Sequence, residues 1–358
     1  MFERRKVAIG LGALAAVAAG GLVWQRRDET SESDFHPAPA IVKVRGHMPF
    51  RAFGRTGLKL SELAFGSWGI GGNSYGPVQR GEALDALARA EELGCNLVDT
   101  AAVYGESEAI LGEFLSSRRS KWIVSTKYSG QSDGLRATVE AQLRRLRTDY
   151  IDFYMIHWLP RGGEAGLLDE LRDLKREGKV RFAGVSLYNA SEIDYVMAHT
   201  DLDGIMVPLN LLEPYPLMAR RKEIEKRGLG VLVRSPLKEG FLAGRFTRET
   251  RFTDPTDQRS KLSVDELVKL VERVEKFRFL EAESGTMARA AIGYPLSLPQ
   301  VSSVVVGVKN VWEAEENFGR TAGFRLEAKS LARIESVQRE IGLKLGPSLT
   351  ERLRSMLS

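Results

Sequence analysis

Four side chains that can exchange protons or hold charge stand at or just past the downstream ends of apolar, β-prone runs: Asp99, Tyr104, Lys127 and His157. The runs read Asn96-Leu97-Val98-Asp99, Trp122-Ile123-Val124-Ser125-Thr126-Lys127 and Ile151-Asp152-Phe153-Tyr154-Met155-Ile156-His157. A carboxylate, a phenol, an ammonium and an imidazole placed together make a general acid–base site. They are far apart in sequence, so strand ends must gather them. A barrel of parallel strands collects such ends at one rim, where its active site lies. The chain reads as an enzyme.

The elements that would position these residues alternate along the chain. Candidate strands begin near Leu63, Leu97, Ile123, Ile151, Arg181, Ile205, Val231 and Val304. Amphipathic stretches lie between them: Gly81 to Leu93, Leu135 to Leu146 and Leu167 to Glu177 carry apolar residues near helical spacing. Parallel strands need crossover helices, which cover the sheet. The expected fold is therefore α/β, a (β/α)8 TIM barrel. Arg51 to Leu60, with Arg55-Thr56-Gly57 at its centre, predicts a β-hairpin ahead of the barrel. Lys238 to Leu262 is a long polar loop after the seventh strand, the usual form of a binding element or lid. Helical patterns beyond Phe324 and Gly346-Pro347 predict a packed C-terminal tail, giving a barrel domain over 36–358.

Residues 1–35 differ in kind. Residues 7–24 carry no charge and follow Arg4-Arg5-Lys6. As a helix they would span roughly 27 Å, close to a bilayer's hydrocarbon thickness. The expectation is a signal sequence or membrane anchor, followed by a polar linker. Ala16-Val17-Ala18 could serve as a cleavage site, and Arg4-Arg5 suggests twin-arginine export. The basic residues Arg4, Arg5 and Lys6 favour the cytoplasmic side, which would put the barrel on the non-cytoplasmic face. Arg26 and Arg27 favour the opposite, cytoplasmic placement.

The 358 residues are 43% hydrophobic and 28% charged, ordinary globular values with ample material for a large core. A formal charge of +5, partly supplied by the N-terminal basic residues, gives no nucleic-acid footprint. Cys95 is the single cysteine, so no intrachain disulfide forms; its apolar setting predicts a packed thiol. His36, His47, His157 and His199 form no metal-ligand spacing, so no metal is expected. Gly69-Ile70-Gly71-Gly72-Asn73-Ser74 lacks the third glycine of the dinucleotide fingerprint and reads instead as a loop over the site. No nucleophile elbow, Walker loop or kinase signature occurs.

Asp99-Thr100-Ala101-Ala102-Val103-Tyr104-Gly105-Glu106-Ser107-Glu108, Ser125-Thr126-Lys127 and Ile156-His157-Trp158 resemble the signature segments of the aldo-keto reductases. Gly66-Ser67-Trp68-Gly69, Gly184-Val185-Ser186 and Glu316-Asn317 extend the likeness over roughly residues 48–320. The resemblance implies reduction of an aldehyde or ketone by a nicotinamide cofactor, usually NADPH, with NADH the alternative. It makes Tyr104 the general acid and has His157 orient and polarise the carbonyl oxygen. Lys127 would lower the phenol's pKa, and Asp99 would keep that ammonium charged and aimed. Taken singly, Asp99 could cap a turn, Tyr104 be a loop aromatic, Lys127 snorkel from a strand end and His157 sit satisfied in a core.

The same likeness assigns Ser186 to the nicotinamide, Lys309 with Asn310 to the adenosine 2′-phosphate, and Glu316 and Asn317 to the adenine. Leu187 stands where many relatives carry asparagine, Met206 where glutamine is usual, and Arg234 where an aromatic often stacks on the nicotinamide ring. Trp68, Tyr75 and Trp158 are candidates for an apolar substrate wall, with core packing the alternative for the two tryptophans. The competing functional class is a nicotinamide-nucleotide sensor or scaffold with little turnover. The complete set Asp99, Tyr104, Lys127 and His157 favours the enzyme.

Overall fold

The protein is seen in a computed structural model that describes residues 40–346 apart from 73, 132, 160–163 and 200. The expected signal or anchor at residues 7–24, the linker to residue 35 and the end of the tail beyond 346 lie outside the described residues. Among the described residues no helix is long and apolar enough to cross a membrane.

The chain enters through an antiparallel sheet of β1 (Ile41–Arg45), β2 (Met48–Ala52) and β3 (Lys59–Ser61). The β2–β3 pair is the expected hairpin: its turn holds Gly57 at φ +80°, a left-handed conformation that glycine adopts without strain. β1 is not anticipated by the sequence pattern. All five of its residues are exposed, so no buried face marks it.

Eight strands follow: β4 (Leu63–Gly66), β5 (Leu97–Asp99), β6 (Ile123–Tyr128), β7 (Ile151–Ile156), β8 (Val180–Ser186), β9 (Gly204–Pro208), β10 (Gly230–Arg234) and β11 (Ser303–Gly307). Each pairs in parallel with its neighbours, and β11 joins β4 and β10, closing the barrel. Their starts fall within a residue of those expected. The crossover helices include Arg80–Glu92, which buries Ala83, Ala86, Leu87 and Ala90, and Gly134–Leu146, which buries Leu135, Val139, Leu143 and Leu146. That spacing sets one apolar stripe against the sheet.

Two apolar cores result. The larger lies between strands and helices; the smaller fills the barrel with Phe53, Leu60, Phe153, Met155, Met206 and Leu232. Phe53 meets Phe153 edge to face at 4.8 Å. Glycines make room for them: a Cβ on Gly230 would lie 2.4 Å from the Phe53 ring, and one on Gly184 2.5 Å from Phe153. The lower barrel is thereby plugged with rings, leaving its carboxyl-terminal rim as the place for polar groups.

Cys95 is buried, and desolvation pushes its thiol up to about 11, as a packed cysteine requires. The long loop after β10 is not free polar chain. It holds short 3-10 turns at Phe241–Ala243 and Gln258–Lys261 and is fastened to the loop after β4, where Asp257 bridges Tyr75 and the Gln258 N–H donates to Ser74 O at 3.0 Å. In the tail, the helix Ala328–Glu340 buries Leu331 and Ile334, and Gln338 donates to the Leu211 carbonyl at 2.9 Å.

Candidate active site

Because all eight barrel strands run the same way, their last residues share one rim. Asp99 ends β5 and pairs in register with Ser125 of β6; Lys127 is two residues on, and so on the same face. The Lys127 ammonium lies 2.7 Å from Asp99 Oδ2 and donates to the Thr100 carbonyl at 2.7 Å. Ser125 Oγ donates to the other carboxylate oxygen at 2.9 Å. Both charged groups are buried. Burial pushes the carboxyl up and the ammonium down, and their mutual attraction opposes both shifts, keeping an ion pair.

Tyr104 lies on the turn after β5, with Lys127 Nζ 5.1 Å from its ring centroid. Its ring centroid is 6.1 Å from that of Trp68 and 5.8 Å from that of His157. Here one expectation is corrected. The phenol is not lowered: burial and then the Asp99 charge raise it well above the ordinary range. Tyr104 therefore keeps its proton at physiological pH.

His157 follows β7 and its Nδ1 is 2.8 Å from Ser129 Oγ. Burial, then the Lys127 and Arg234 charges, lower its pKa to about 3, so the imidazole is neutral. Trp158, 43% exposed, lies beside it with ring centroids 4.5 Å apart. Trp68 and Tyr75 are 5.2 Å apart, and the Tyr75 hydroxyl accepts from Gln258 Nε2 at 3.2 Å. Trp68 therefore borders Tyr104 and Trp158 borders His157, Tyr75 joins them through Trp68, and Trp158 is not a core residue.

The candidate cofactor residues fall on the other arc of the rim, in two groups. Ser186 ends β8; its Oγ is buried and has no hydrogen-bond partner, a handle that a ligand amide would complete. Leu187 and Met206 are buried in the apolar cores and offer no polar atom there. Arg234 ends β10, donates to the Leu187 carbonyl at 3.2 Å and lies 4.2 Å over the Tyr188 ring.

The second group follows β11. The Lys309 stem packs on Gly69, where a Cβ would lie 2.9 Å away, and its ammonium is 3.9 Å from Glu313 Oε1. The Asn310 side chain accepts from the Glu313 N–H at 2.9 Å and so caps the following helical turn. Glu316 pairs with Arg320 at 2.8 Å. Asn317 is buried and donates to the Gly307 carbonyl at 3.3 Å. Sequence reading missed the supports Ser125, Ser129 and Glu313. The two serines could have been suspected from their positions two residues either side of Lys127, Ser125 on β6 and Ser129 just past its end; nothing local marks Glu313.

This rim fits a nicotinamide dinucleotide in two respects: an orphaned buried hydroxyl at β8 and cationic and amide side chains after β11. The comparisons agree with it. Residues 62–339 match the model of the aldo/keto reductase family. L-galactose dehydrogenase of Arabidopsis thaliana is 28% identical over 311 residues, 80% of this chain and 93% of that protein. An NADH-specific methylglyoxal reductase of Escherichia coli K12 is 28% identical over 302 residues, 74% of this chain and 90% of its own length. Among solved structures, a glycerol dehydrogenase from Gluconobacter oxydans superposes with a TM-score of 0.68 at 27% identity, covering 82% of this chain and 96% of the other. The chain belongs to the aldo/keto reductase family and is an oxidoreductase of its nicotinamide-dependent class.

Proposed function

We propose that the protein reduces an aldehyde or ketone to an alcohol with NADPH, and that Tyr104 is the proton donor. The observation that carries this reading is the buried Lys127–Asp99 pair at 2.7 Å beneath a Tyr104 that keeps its proton. Bound reduced nicotinamide supplies the hydride that no side chain can. The chain's own residues do the rest. We assign the donor of the 2.8 Å Ser129 Oγ–His157 Nδ1 bond to the serine, which leaves the hydrogen of the neutral imidazole on Nε2, where it can be donated to the carbonyl oxygen. Tyr104 transfers its proton to that oxygen as charge develops there. The ammonium 5.1 Å from its ring centroid then stabilises the phenolate until solvent returns the proton. The products are the alcohol and the oxidised cofactor.

Ser186 would hold the carboxamide, and Lys309 the 2′-phosphate that separates NADPH from NADH. NADH is kept as the second donor because Lys309 already has Glu313 at 3.9 Å. Tyr104→Phe tests the reading. It should lower kcat for carbonyl reduction by roughly 10²- to 10⁴-fold, the usual weight of a positioned general acid, with cofactor Kd unchanged. Near-normal kcat would remove Tyr104 from its role. No turnover of any carbonyl by the unaltered chain would favour the sensor or scaffold reading.

The proposal includes a location drawn from the sequence: membrane attachment through residues 7–24, with the barrel, residues 36–358, on the non-cytoplasmic face. A C-terminal tag digested by protease added to intact spheroplasts supports it. A tag shielded until the membrane is permeabilised places the barrel inside.

A further inference from the structure

Two strand ends on the rim carry a buried polar atom without a partner: Ser186 Oγ on β8 and Arg234 Nε on β10. β9 runs between these strands, with Met206 in register with Ser186 and Pro208 with Arg234. The Arg234 guanidinium nonetheless spans the gap and donates at 3.2 Å to the carbonyl of Leu187, the residue after Ser186. It also lies 4.2 Å over the Tyr188 ring. A guanidinium keeps its charge at any pH a protein meets. A permanent cation is thus fixed beside the hydroxyl that, on the reading above, holds the nicotinamide carboxamide.

The charge also reaches the reacting centre. Arg234 acts electrostatically on Tyr104 and His157, the two groups proposed to hold the carbonyl oxygen. Hydride transfer needs the nicotinamide ring against the carbonyl carbon, so a charge felt at Tyr104 and His157 is felt at the ring. The other cation acting on His157, Lys127, is neutralised by Asp99 at 2.7 Å, whereas Arg234 makes no ion pair among the described residues. The ring is the group whose charge changes: it is neutral in the reduced cofactor and cationic in the oxidised one.

We propose that Arg234 discriminates between the redox states of the cofactor, disfavouring the oxidised nicotinamide, so that the spent cofactor leaves readily and the enzyme is set for carbonyl reduction over alcohol oxidation. The inference rests on the reductase reading above and deepens it by naming the favoured direction. Like charges a few ångströms apart in a half-buried site repel enough for a bias on the order of 10-fold. A bias of that size makes the bound couple a weaker reductant by about 30 mV. The gain lies in turnover, because oxidised cofactor competes less with reduced cofactor for the free site.

The experiment is a set of calorimetric titrations of the full chain with NADPH, NADP+, NADH and NAD+. What decides is the ratio of oxidised to reduced Kd for each dinucleotide. Arg234→Leu should lower that ratio on the order of 10-fold, chiefly by tightening the oxidised form, and Arg234→Lys, which keeps the charge, should retain most of it. Arg234→Gln replaces the leucine variant if that does not fold. A ratio that the neutral variants leave unchanged overturns the inference, as does an equal loss of affinity for both forms, which would make Arg234 a contact to a part of the cofactor that keeps its charge. Binding of neither form by the unaltered chain ends this inference and the reductase reading together. Redox-dependent binding that follows the charge at position 234, with no carbonyl turned over, sinks the reductase reading alone.

Discussion

The arc of the rim from β5 to β7 and the arc from β8 to β11 are built on opposite principles. In the first, every charged group has its partner inside the protein: Asp99 receives Lys127 and Ser125, Lys127 also reaches the Thr100 carbonyl, and His157 meets Ser129. In the second, Ser186 Oγ and Arg234 Nε are buried without partners. A closed network holds its geometry before any ligand arrives, which is what a proton-transfer site needs. Unsatisfied buried atoms cost stability in the free protein, and that cost is recovered when a ligand supplies the missing bond. On the function proposed above, one arc is prepared for chemistry and the other for binding.

The comparison breaks most visibly at Lys127. Lys127→Met leaves Asp99 buried without its counter-charge, and unfolding by denaturant should show a loss of about 3 to 5 kcal/mol. Replacing both partners with apolar residues should recover much of that stability and none of the activity. A loss below about 1 kcal/mol would mean the pair is solvated like a surface bridge.

On the binding arc, substitutions should act on ligands and leave stability nearly untouched. If Lys309 contacts the 2′-phosphate, Lys309→Ala should weaken NADPH by about 1.5 to 3 kcal/mol and NADH hardly at all. Equal losses for both would take Lys309 out of the site. The smallest effect belongs to Ser186. Ser186→Ala should weaken either reduced cofactor by about 0.5 to 1.5 kcal/mol while the denaturation midpoint of the free protein stays level or rises, since the hydroxyl has no bond to lose there. A drop in that midpoint with unchanged cofactor affinity would make Ser186 a structural residue.

Much of this was legible in the chain. Strand starts follow from short apolar runs between amphipathic stretches, and parallel strands joined by helices leave a closed barrel as the economical way to bury both faces. Asp99, Lys127 and His157 could be placed on one rim because strand ends in such a barrel share it. β1 escaped notice since it buries no face, and the loop after β10 read only as a polar binding element or lid because its anchor, the Ser74–Tyr75 segment, is far away in sequence.

What the sequence determined by itself is periodicity and residue type, both local properties: which segments are strands, which helices, and which reactive groups stand at their ends. Charge state and satisfaction were decided by the tertiary structure, because both depend on what lies within a few ångströms across strands distant in the chain. Lys127 does pair with Asp99, at 2.7 Å, but burial and then the Asp99 charge raise the Tyr104 phenol where the residue types alone suggested a lowered one. Lys309, a plain basic residue in the sequence, meets Glu313, while Arg234, equally plain, meets no acid among the described residues. Coulomb energies and desolvation act through space, and only the closed barrel fixes those distances.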